Sequence, residues 1–316
     1  MAGGRLLAQA RVWARTGSAG PVVVPRSLDR WRKVPGGRAW LAGLPAIAHA
    51  CAEAWDLRLG EAYNGGKVGL ALRVERSDGS PAVLKVNFPS RDGEHEATAL
   101  AYWGGDGAVH LLEHDPVHSA LLVERCEPGG QLSDVPAEDE ANVVAARLLA
   151  KIWRPPDDAH SFPLLSDEAA RWADELPARW RTLRRPFERS LLDAAVTACR
   201  ELGSSQAELV VCHQDFHGGN VLRAQREPWL AIDPKPLVGE RAFDTAWLLR
   251  DRRASVDADT HPRRRMRRRL DLLSDELGLD RNRMRAWGIA RAVAWGLDAG
   301  RLHRTHIECA RLLLSA

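Results

Sequence analysis

Between residues 60 and 126 the apolar positions form short runs that polar and glycine-containing stretches interrupt. The runs KVGLALRVE and PAVLKVNF flank an Asp-Gly turn, which predicts a β-hairpin. Two later runs, AVHLLEH and SALLVERC, predict further strands, and EHEATALAYW places Ala97, Leu100 and Trp103 on one side of a helix. The pattern predicts a small antiparallel sheet with one interposed helix.

Helical spacing dominates the chain after residue 128. The segment AEDEANVVAARLLAKIW places Val144, Leu148 and Ile152 at i, i+4 and i+8. More helices are predicted near residues 166–184 and 187–202, and four more segments follow residue 240. The Pro/Gly-rich connector EPGGQLSD predicts the boundary between the two parts. We therefore expect an α+β chain with a β-rich N-lobe at 29–127 and a mostly helical C-lobe at 128–316.

Composition narrows the class of protein without naming a function. With 316 residues, of which 45% are hydrophobic and 28% charged, the chain is long enough for two lobes. It lacks any apolar run of about 20 residues, so we expect no membrane partner. Residues 1–28 carry Arg5, Arg11 and Arg15 among small residues but no continuous apolar segment, and we expect them to form a disordered extension.

Cysteines and charge exclude two further classes. The five cysteines are scattered and lack CxxC spacing, so neither a disulfide framework nor a zinc knuckle is indicated, and we expect a cytoplasmic protein. The net charge of +3 gives no general case for nucleic acid binding. The run RRRMRRR at Arg263–Arg269 could bind phosphates, but it leads into leucines at helical spacing. We interpret it as a solvated basic helix face and predict no nucleic acid partner.

The strongest chemical signal is the stretch HQDFHGGN, which lies between the apolar runs ELVVC and WLAID. Asp215 and Asn220 are five residues apart, and Asp233 ends the next predicted strand. Phosphoryl transfer needs a carboxylate beside the acceptor hydroxyl and oxygen ligands for Mg²⁺. The spacing is that of the protein-kinase catalytic loop followed by a metal-binding Asp. A zinc hydrolase site at His213, Asp215 and His217 is the alternative, but it leaves Asn220 and Asp233 without a role.

A lysine in a predicted buried strand is notable here, because the chain has only five lysines against forty arginines. Lys85, in PAVLKVNF, is predicted to contact the nucleotide phosphates. Glu96 on the following helix is the expected partner of that lysine, with Glu94 as a substitute. Lys235, two residues after Asp233, could face phosphate or solvent and is given no role.

Other residues complete the predicted nucleotide and loop sites. Gly65 and Gly66 lie in the loop YNGGKVG before a predicted strand, and backbone groups around Glu124 and Cys126 would meet the base. His213 is expected to tie the catalytic loop to neighbouring backbone. Gly218 and Gly219 are expected to permit its sharp turn. The tryptophans, including Trp103, Trp153, Trp172 and Trp247, are interpreted as core rather than as sugar-stacking platforms.

These motifs resemble the aminoglycoside and hydroxyurea antibiotic-resistance kinases, in particular the streptomycin 6-phosphotransferase branch. The resemblance rests on RAWLAGLPA, AVLKV, LAYWGGDGAVHLLEHD, LLVERCEPG, HQDFHGGNVL and EPWLAIDPKPLVGERAFD, and covers roughly residues 35–315. It implies a protein-kinase-like fold, ATP and Mg²⁺, and transfer to a hydroxyl of an antibiotic. By motif position it implies that Asp215 is the catalytic base, Asn220 and Asp233 are metal ligands, Lys85 contacts phosphate, and Asp244 braces the catalytic loop.

Two departures separate the chain from protein kinases. The loop YNGGKVG lacks their G-x-G-x-x-G pattern, and Gln214 replaces their arginine, which argues against control by phosphorylation. A cationic aminoglycoside would favour carboxylates around the pocket, and the C-terminal segments offer several without showing which converge: Asp244, Asp251, Asp271 and Asp298.

Two other functions stay open from the sequence. One is a same-fold kinase of hydroxyurea, a nucleoside antibiotic or a metabolite. The other is a non-catalytic nucleotide-binding pseudokinase, which the presence of all four predicted site residues argues against. We expect a small-molecule substrate and a monomer or weak dimer.

Overall fold

The computed structural model describes residues 22–66, 68–251 and 259–316. The chain divides into two compact units, residues 1–86 and 87–316. The lobe boundary predicted after residue 127 stays a prediction. Most of the predicted N-terminal extension, residues 1–21, lies outside the described residues. Its last residues begin a 3-10 helix, Arg26–Lys33, in which Leu28 is buried.

In its described residues, the first unit contains one long helix and three strands. Helix α1 (Gly37–Ala54) is followed by β1 (Leu57–Ala62), β2 (Gly69–Arg76) and β3 (Pro81–Asn87), and β1 pairs antiparallel with β2. The predicted Asp-Gly turn joins β2 and β3. There Gly79 has a φ of +82°, and the Ser80 N–H donates to Asp78 Oδ1 at 2.8 Å.

Alternation of side chains orients Lys85 in the first unit. Leu84 and Val86 of β3 are fully buried, whereas Lys85 between them is half-buried. Successive residues of a strand point to opposite faces, so Lys85 lies on the face away from those two side chains. Lys85 is therefore not part of the core that Leu84 and Val86 help to form, and its contact with phosphates stays a prediction.

The second unit begins with the predicted helix and hairpin. Helix α2 (Glu96–Trp103) precedes the antiparallel pair β4 (Leu111–Asp115) and β5 (Ala120–Glu124). Three longer helices follow, namely α3 (Glu138–Ile152), α4 (Leu165–Thr182) and α5 (Arg189–Ser204). The apolar stripe predicted on α3 is present, since Leu148 and Ile152 are buried.

Four short strands surround the polar cluster. They are β6 (Leu209–Cys212), β7 (Val221–Arg223), β8 (Trp229–Ala231) and β9 (Leu237–Glu240). The sequence suggested that the two apolar runs flanking the cluster form one strand pair. Instead β6 pairs with β9 and β7 pairs with β8, both antiparallel. The loop of residues 213–220 thus joins two separate two-stranded sheets.

Five helices complete the described chain: α6 (Arg241–Asp244), α7 (Ala246–Arg250), α8 (Pro262–Leu277), α9 (Arg281–Gly296) and α10 (Arg304–Leu314). Helix α8 starts with a proline in its first turn and stops at Gly278, which has a φ of +63°. The four tryptophans interpreted as core are buried, with exposed fractions of 1% to 9%. No helix in the described ranges is both long and apolar enough to cross a membrane.

The arginine run of α8 is solvent-exposed at most of its positions, as the sequence suggested, but not at Arg269. Arg269 is 2% exposed and donates to Glu138 of α3 through Nε and Nη2. Arg265 also binds Glu138, and Arg268 binds Asp139. The acidic first turn of α3 therefore pairs with three arginines of the run, which sequence periodicity alone could not reveal.

Candidate active site

Asp244 anchors the loop of residues 213–220. This fully buried carboxylate accepts hydrogen bonds from the backbone N–H of His213 at 2.8 Å and of Gln214 at 2.7 Å. The indole Nε1 of Trp153 donates to it at 3.0 Å. A buried carboxylate is stable only when its oxygens are well hydrogen-bonded. Asp244 is therefore committed to holding the backbone at the start of the loop.

His213 fastens the loop on its other side. Its Nε2 donates to the carbonyl of Ile232 at 2.9 Å, because a carbonyl can only accept. The ring is fully buried and stacks on Trp103, with centroids 6.0 Å apart. Burial lowers its pKa, so the imidazole is neutral. His213 ties the loop to the residue that precedes Asp233.

The same contacts argue against the zinc alternative. The Nε2 of His213 is already bonded to a carbonyl, and the Nδ1 of His217 accepts from the backbone of Gly219 at 3.1 Å. Within the described part of the chain, His, Cys, Asp and Glu side chains form no group of three or more that could hold a metal ion. The two histidines shape the loop instead of converging on a cation.

Asp215 is the carboxylate at the open side of the loop. It is 8% exposed, and its Oδ2 lies 2.8 Å from the Nζ of Lys235. Burial alone would raise the pKa of Asp215, but the Lys235 ammonium, with smaller contributions from His217 and Arg291, holds that pKa below its ordinary value. No described residue donates to its Oδ1. The carboxylate is therefore ionised and retains an oxygen that can accept a proton.

Asn220 is bonded to the backbone of the same aspartate. Its Nδ2 donates to the Asp215 carbonyl at 2.9 Å, and the Ile232 N–H donates to the Asn220 carbonyl at 2.9 Å. The second bond connects Asn220 to the neighbour of Asp233. Since the amide nitrogen is engaged, the side-chain oxygen is the atom of Asn220 that can ligate a cation. The residues present thus fit Mg²⁺, which prefers one or two such oxygen ligands together with phosphate oxygens.

Two backbone positions near the site are in the left-handed region. Gln214 has a φ of +64° and Asp233 a φ of +57°. Non-glycine residues reach this conformation at some cost, and asparagine and aspartate tolerate it best. Such residues concentrate where the surrounding structure fixes a functional geometry.

Gly218 and Gly219 serve close packing rather than backbone freedom. Neither has a positive φ. A Cβ on Gly218 would lie 2.8 Å from the backbone nitrogen of Ser133, and one on Gly219 would lie 3.0 Å from the His217 ring. The Gly218 N–H donates to Asp251 at 2.7 Å. The predicted reason for the glycines is therefore wrong, although their location in a tight 3-10 turn is as expected.

Glu96 and Glu94 differ sharply in the structure. Glu96 is 4% exposed and accepts a hydrogen bond from the Asn87 side chain at 2.7 Å, whereas Glu94 is exposed. A buried carboxylate requires partners, which favours Glu96 over Glu94 as the functional acid. The pairing of Glu96 with Lys85 stays a prediction.

The predicted nucleotide-base segment is partly occupied by internal contacts. Glu124, at the end of β5, accepts from both Nε and Nη2 of Arg226, and its own N–H donates to the His110 carbonyl at 2.9 Å. The half-buried Cys126 follows, and burial raises the pKa of its thiol to about 12. Base contacts would therefore come from backbone groups after the Glu124 nitrogen.

The predicted glycine loop forms the turn between β1 and β2. Gly65 and Gly66 are exposed, and Gly65 has a φ of +112°, which favours glycine. Sequence reasoning therefore located the turn, although it did not identify β1.

Two cations near Asp215 were not assigned from the sequence. One is Lys235, whose flanking prolines and rarity among forty arginines were the only signals. The other is Arg291 of α9, which is 4% exposed and lies 5.0 to 5.4 Å from the ring centroids of three aromatic residues: Phe243, Trp247 and Trp295. Burial lowers its pKa to about 10. A charged residue inside the apolar run GIARAVAW was the available signal.

The chain is similar to known proteins over most of its length. A family described as aminoglycoside/hydroxyurea antibiotic resistance kinase matches residues 55–301. The chain belongs to this family. The family predicted from the sequence is thereby confirmed, and with it a phosphotransferase activity towards hydroxyl groups.

Two relatives of this kinase family match most of the chain. A streptomycin 6-kinase of Streptomyces griseus is 38% identical over 273 residues, which cover 84% of this chain and 86% of the relative. A hydroxyurea phosphotransferase of Kitasatospora aureofaciens is 35% identical over 287 residues, covering 88% and 81%.

A solved structure supports the fold. An aminoglycoside phosphotransferase in ternary complex with ADP and hygromycin B aligns with a TM-score of 0.54 and 15% identity, over 86% of this chain and 99% of that chain. The predicted protein-kinase-like α+β fold class is confirmed.

Proposed function

We propose that this kinase transfers the γ-phosphate of ATP to a hydroxyl of a streptomycin-like aminoglycoside, with Mg²⁺ as cofactor. The observation that carries the proposal is the state of Asp215, a buried but ionised carboxylate with one oxygen paired to Lys235 and the other unbonded by described residues. Such a group can orient an acceptor hydroxyl and take its proton. The relatives that act on streptomycin supply the acceptor class.

The other site residues divide the remaining work. Asp233 and the Asn220 side-chain oxygen would hold Mg²⁺, which when bound offsets the negative charge of the phosphates. Lys85 would contact the phosphates, and Glu96 would orient Lys85. Gly65 and Gly66 would lie over the nucleotide, and backbone groups near Cys126 would meet the base.

In the reaction, the acceptor oxygen forms a bond to the γ-phosphorus as the bond from that phosphorus to ADP breaks. The proton of the acceptor hydroxyl passes to Asp215, and ADP leaves with the electron pair of the broken bond. Asp244 and His213 keep Asp215 in place through the loop backbone, without touching the substrate.

A smaller hydroxyl compound is the second candidate acceptor. Three aspartates considered for binding a cationic antibiotic are engaged within the protein: Asp244 with the loop, Asp251 with Gly218, and Asp271 with Arg281. This favours acceptors that need fewer carboxylates, and a hydroxyurea phosphotransferase is among the relatives.

The proposed setting is a reducing cytoplasm, a monomer or weak dimer, and no nucleic acid partner. All five cysteines are free thiols, and four of them are buried. The pairing of Arg265, Arg268 and Arg269 with acidic residues leaves less positive charge for phosphate backbones.

A coupled ADP-release assay tests the proposal. The purified protein is given ATP with and without Mg²⁺, and streptomycin, other aminoglycosides, hydroxyurea or a nucleoside antibiotic as acceptor. We expect Mg²⁺-dependent release stimulated most by streptomycin, with a product heavier by one phosphoryl group in mass spectrometry. Stimulation only by another class of compound would make that class the acceptor in place of streptomycin. ATP binding without turnover for any acceptor would favour a pseudokinase.

A further inference from the structure

Lys235 follows the proposed metal ligand Asp233 by two residues, yet its side chain contacts a different acid. Its Nζ lies 2.8 Å from Asp215 Oδ2, and the Lys235 side chain is 18% exposed. The same ammonium lies 5.4 Å from the centroid of the Trp295 ring, in cation–π range. The lysine is thus directed inward from β8–β9 onto the carboxylate of the catalytic loop.

The backbone of Lys235 is fixed independently of its side chain. Its N–H donates to the His213 carbonyl at 3.0 Å, and prolines stand on both sides of it. Proline fixes its own φ and restricts the residue before it to extended conformations. The side chain therefore starts from a rigid point, and replacing it leaves these backbone restraints intact.

An ammonium group can bind one oxygen of a carboxylate and leave the other oxygen accessible. Lysine presents three donors around a compact charge, whereas an arginine fork would tend to occupy both oxygens of one carboxylate. Here the ammonium contacts Oδ2 and leaves Oδ1 without a donor from the described residues.

We propose that Lys235 is a positioning residue of the transfer reaction: its ammonium holds Asp215 through Oδ2 and keeps Oδ1 for the acceptor hydroxyl. This inference rests on the proposed function of Asp215. A residue that positions the proton acceptor acts mainly on turnover rather than on nucleotide binding.

The test compares four proteins in the coupled assay with the best acceptor: wild type, Lys235→Met, Lys235→Arg and Lys151→Met. Lys235→Met keeps a stem of similar length without the charge, and we expect kcat to fall about 10- to 100-fold while KM for Mg²⁺-ATP changes less than about threefold. Lys235→Arg keeps the charge but should recover only a small part of the loss, because its fork would tend to occupy both oxygens of Asp215. Lys151 is also an ion-paired lysine, bound to Glu227 on the surface, and its substitution should leave kcat within about twofold of wild type.

A double-mutant cycle separates positioning from a purely structural effect. If Lys235 acts through Asp215, Lys235→Met should change the residual kcat of Asp215→Asn by less than about threefold. Thermal melting identifies any unfolded variant, and Lys235→Gln replaces Lys235→Met if the latter does not fold. If the wild type turns over and Lys235→Met has the same kcat, the inference is overturned. It is also overturned if Lys235→Met lowers kcat equally in the wild type and in Asp215→Asn. Absence of wild-type turnover with every acceptor would overturn the proposed function, and this inference with it.

Discussion

Two buried aspartates of the second unit, Asp215 and Asp244, are held in opposite ways. Asp244 has no exposed surface and accepts three hydrogen bonds, two from the loop backbone and one from Trp153. Asp215 keeps a small exposed surface, and among described residues its carboxylate contacts only Lys235. Neutral donors fix the first acid, and the ammonium of Lys235 balances the charge of the second.

This difference divides the two acids by role: Asp244 holds the loop of residues 213–220, and Asp215 is proposed to act on the substrate. Both oxygens of Asp244 already accept hydrogen bonds from the protein, so a further donor would compete with them. A carboxylate stabilised by charge keeps an oxygen for the substrate while its burial strengthens the interaction. The contrast predicts that the two aspartates fail in different measurements when each is replaced.

The largest expected effect is on turnover. Asp215→Asn should lower kcat by roughly 10² to 10⁴-fold, because the amide cannot take the proton of the acceptor hydroxyl. Its free energy of unfolding should change less than that of Asp244→Asn. The coupled ADP-release assay and urea denaturation of both variants check this. A larger loss of stability in Asp215→Asn would reverse the roles given to the two acids.

The next effect is on stability. Asp244→Ala leaves two backbone N–H groups and one indole N–H buried without an acceptor, and we expect a cost of about 3 kcal/mol or more in the free energy of unfolding. Asp271→Ala, which removes a surface partner of Arg281, is the control and should cost about 1 kcal/mol or less. Equal stability of the two variants would mean that Asp244 does not brace the loop.

The buried imidazole of His306 leads to a prediction about pH and stability. Burial, with smaller contributions from Arg250, His303 and Arg291, lowers the pKa of His306 to about 3. Below pH 6.5 the unfolded chain binds a proton at this histidine while the folded chain does not, so stability falls as the pH decreases. Between pH 6.5 and pH 5 the group should contribute a loss of about 2 kcal/mol.

Urea unfolding at pH 7 and pH 5 measures this contribution. His306→Phe keeps an aromatic ring beside Trp247 and removes the titration, so its stability should fall less on acidification than that of the wild type. The exposed His114, replaced by Gln, is the control and should follow the wild type. Identical acid sensitivity of all three proteins would show that His306 is protonated in the folded state.

The smallest expected effect concerns one donor to Asp244. Trp153→Phe removes the indole hydrogen bond and should cost about 1 kcal/mol, with a several-fold loss of kcat as the loop loosens. Trp180→Phe is matched, because its indole donates to the Phe187 carbonyl at 3.0 Å, away from the loop. It should lose similar stability and keep its turnover. Parallel losses of kcat in both would remove the special role of Trp153.

Local patterns were sufficient for the loop and most helices. The order of Asp215, Asn220 and Asp233 is a property of the chain. The apolar run PAVLKVNF predicted the strand that carries Lys85. Strand β1 was missed because LRLGEA has few apolar residues, and its side chains are half-buried or exposed. Such an edge-like strand depends on its pairing with β2 rather than on its own composition.

Contacts between distant segments could not be predicted from the sequence. The ion pair of Lys235 with Asp215 depends on the path from β8 to β9, and the arginines of α8 meet acids on α3 more than a hundred residues away. The position of Arg291 near Asp215 could not be predicted for a similar reason, since its aromatic neighbours come from three helices. Charge patterns along a chain do not reveal which charges meet.

Calorimetric titration of Mg²⁺-ATP into Asp215→Asn and Asp233→Asn tests the central claim most directly. Both substitutions remove one charge, and asparagine tolerates the left-handed backbone at position 233. The account predicts a Kd within about threefold of wild type for Asp215→Asn, and a Kd weakened about tenfold or more for Asp233→Asn, because only Asp233 is proposed to ligate the nucleotide-bound cation. Equal loss of affinity in the two folded variants would contradict the separation of proton acceptor from metal ligand.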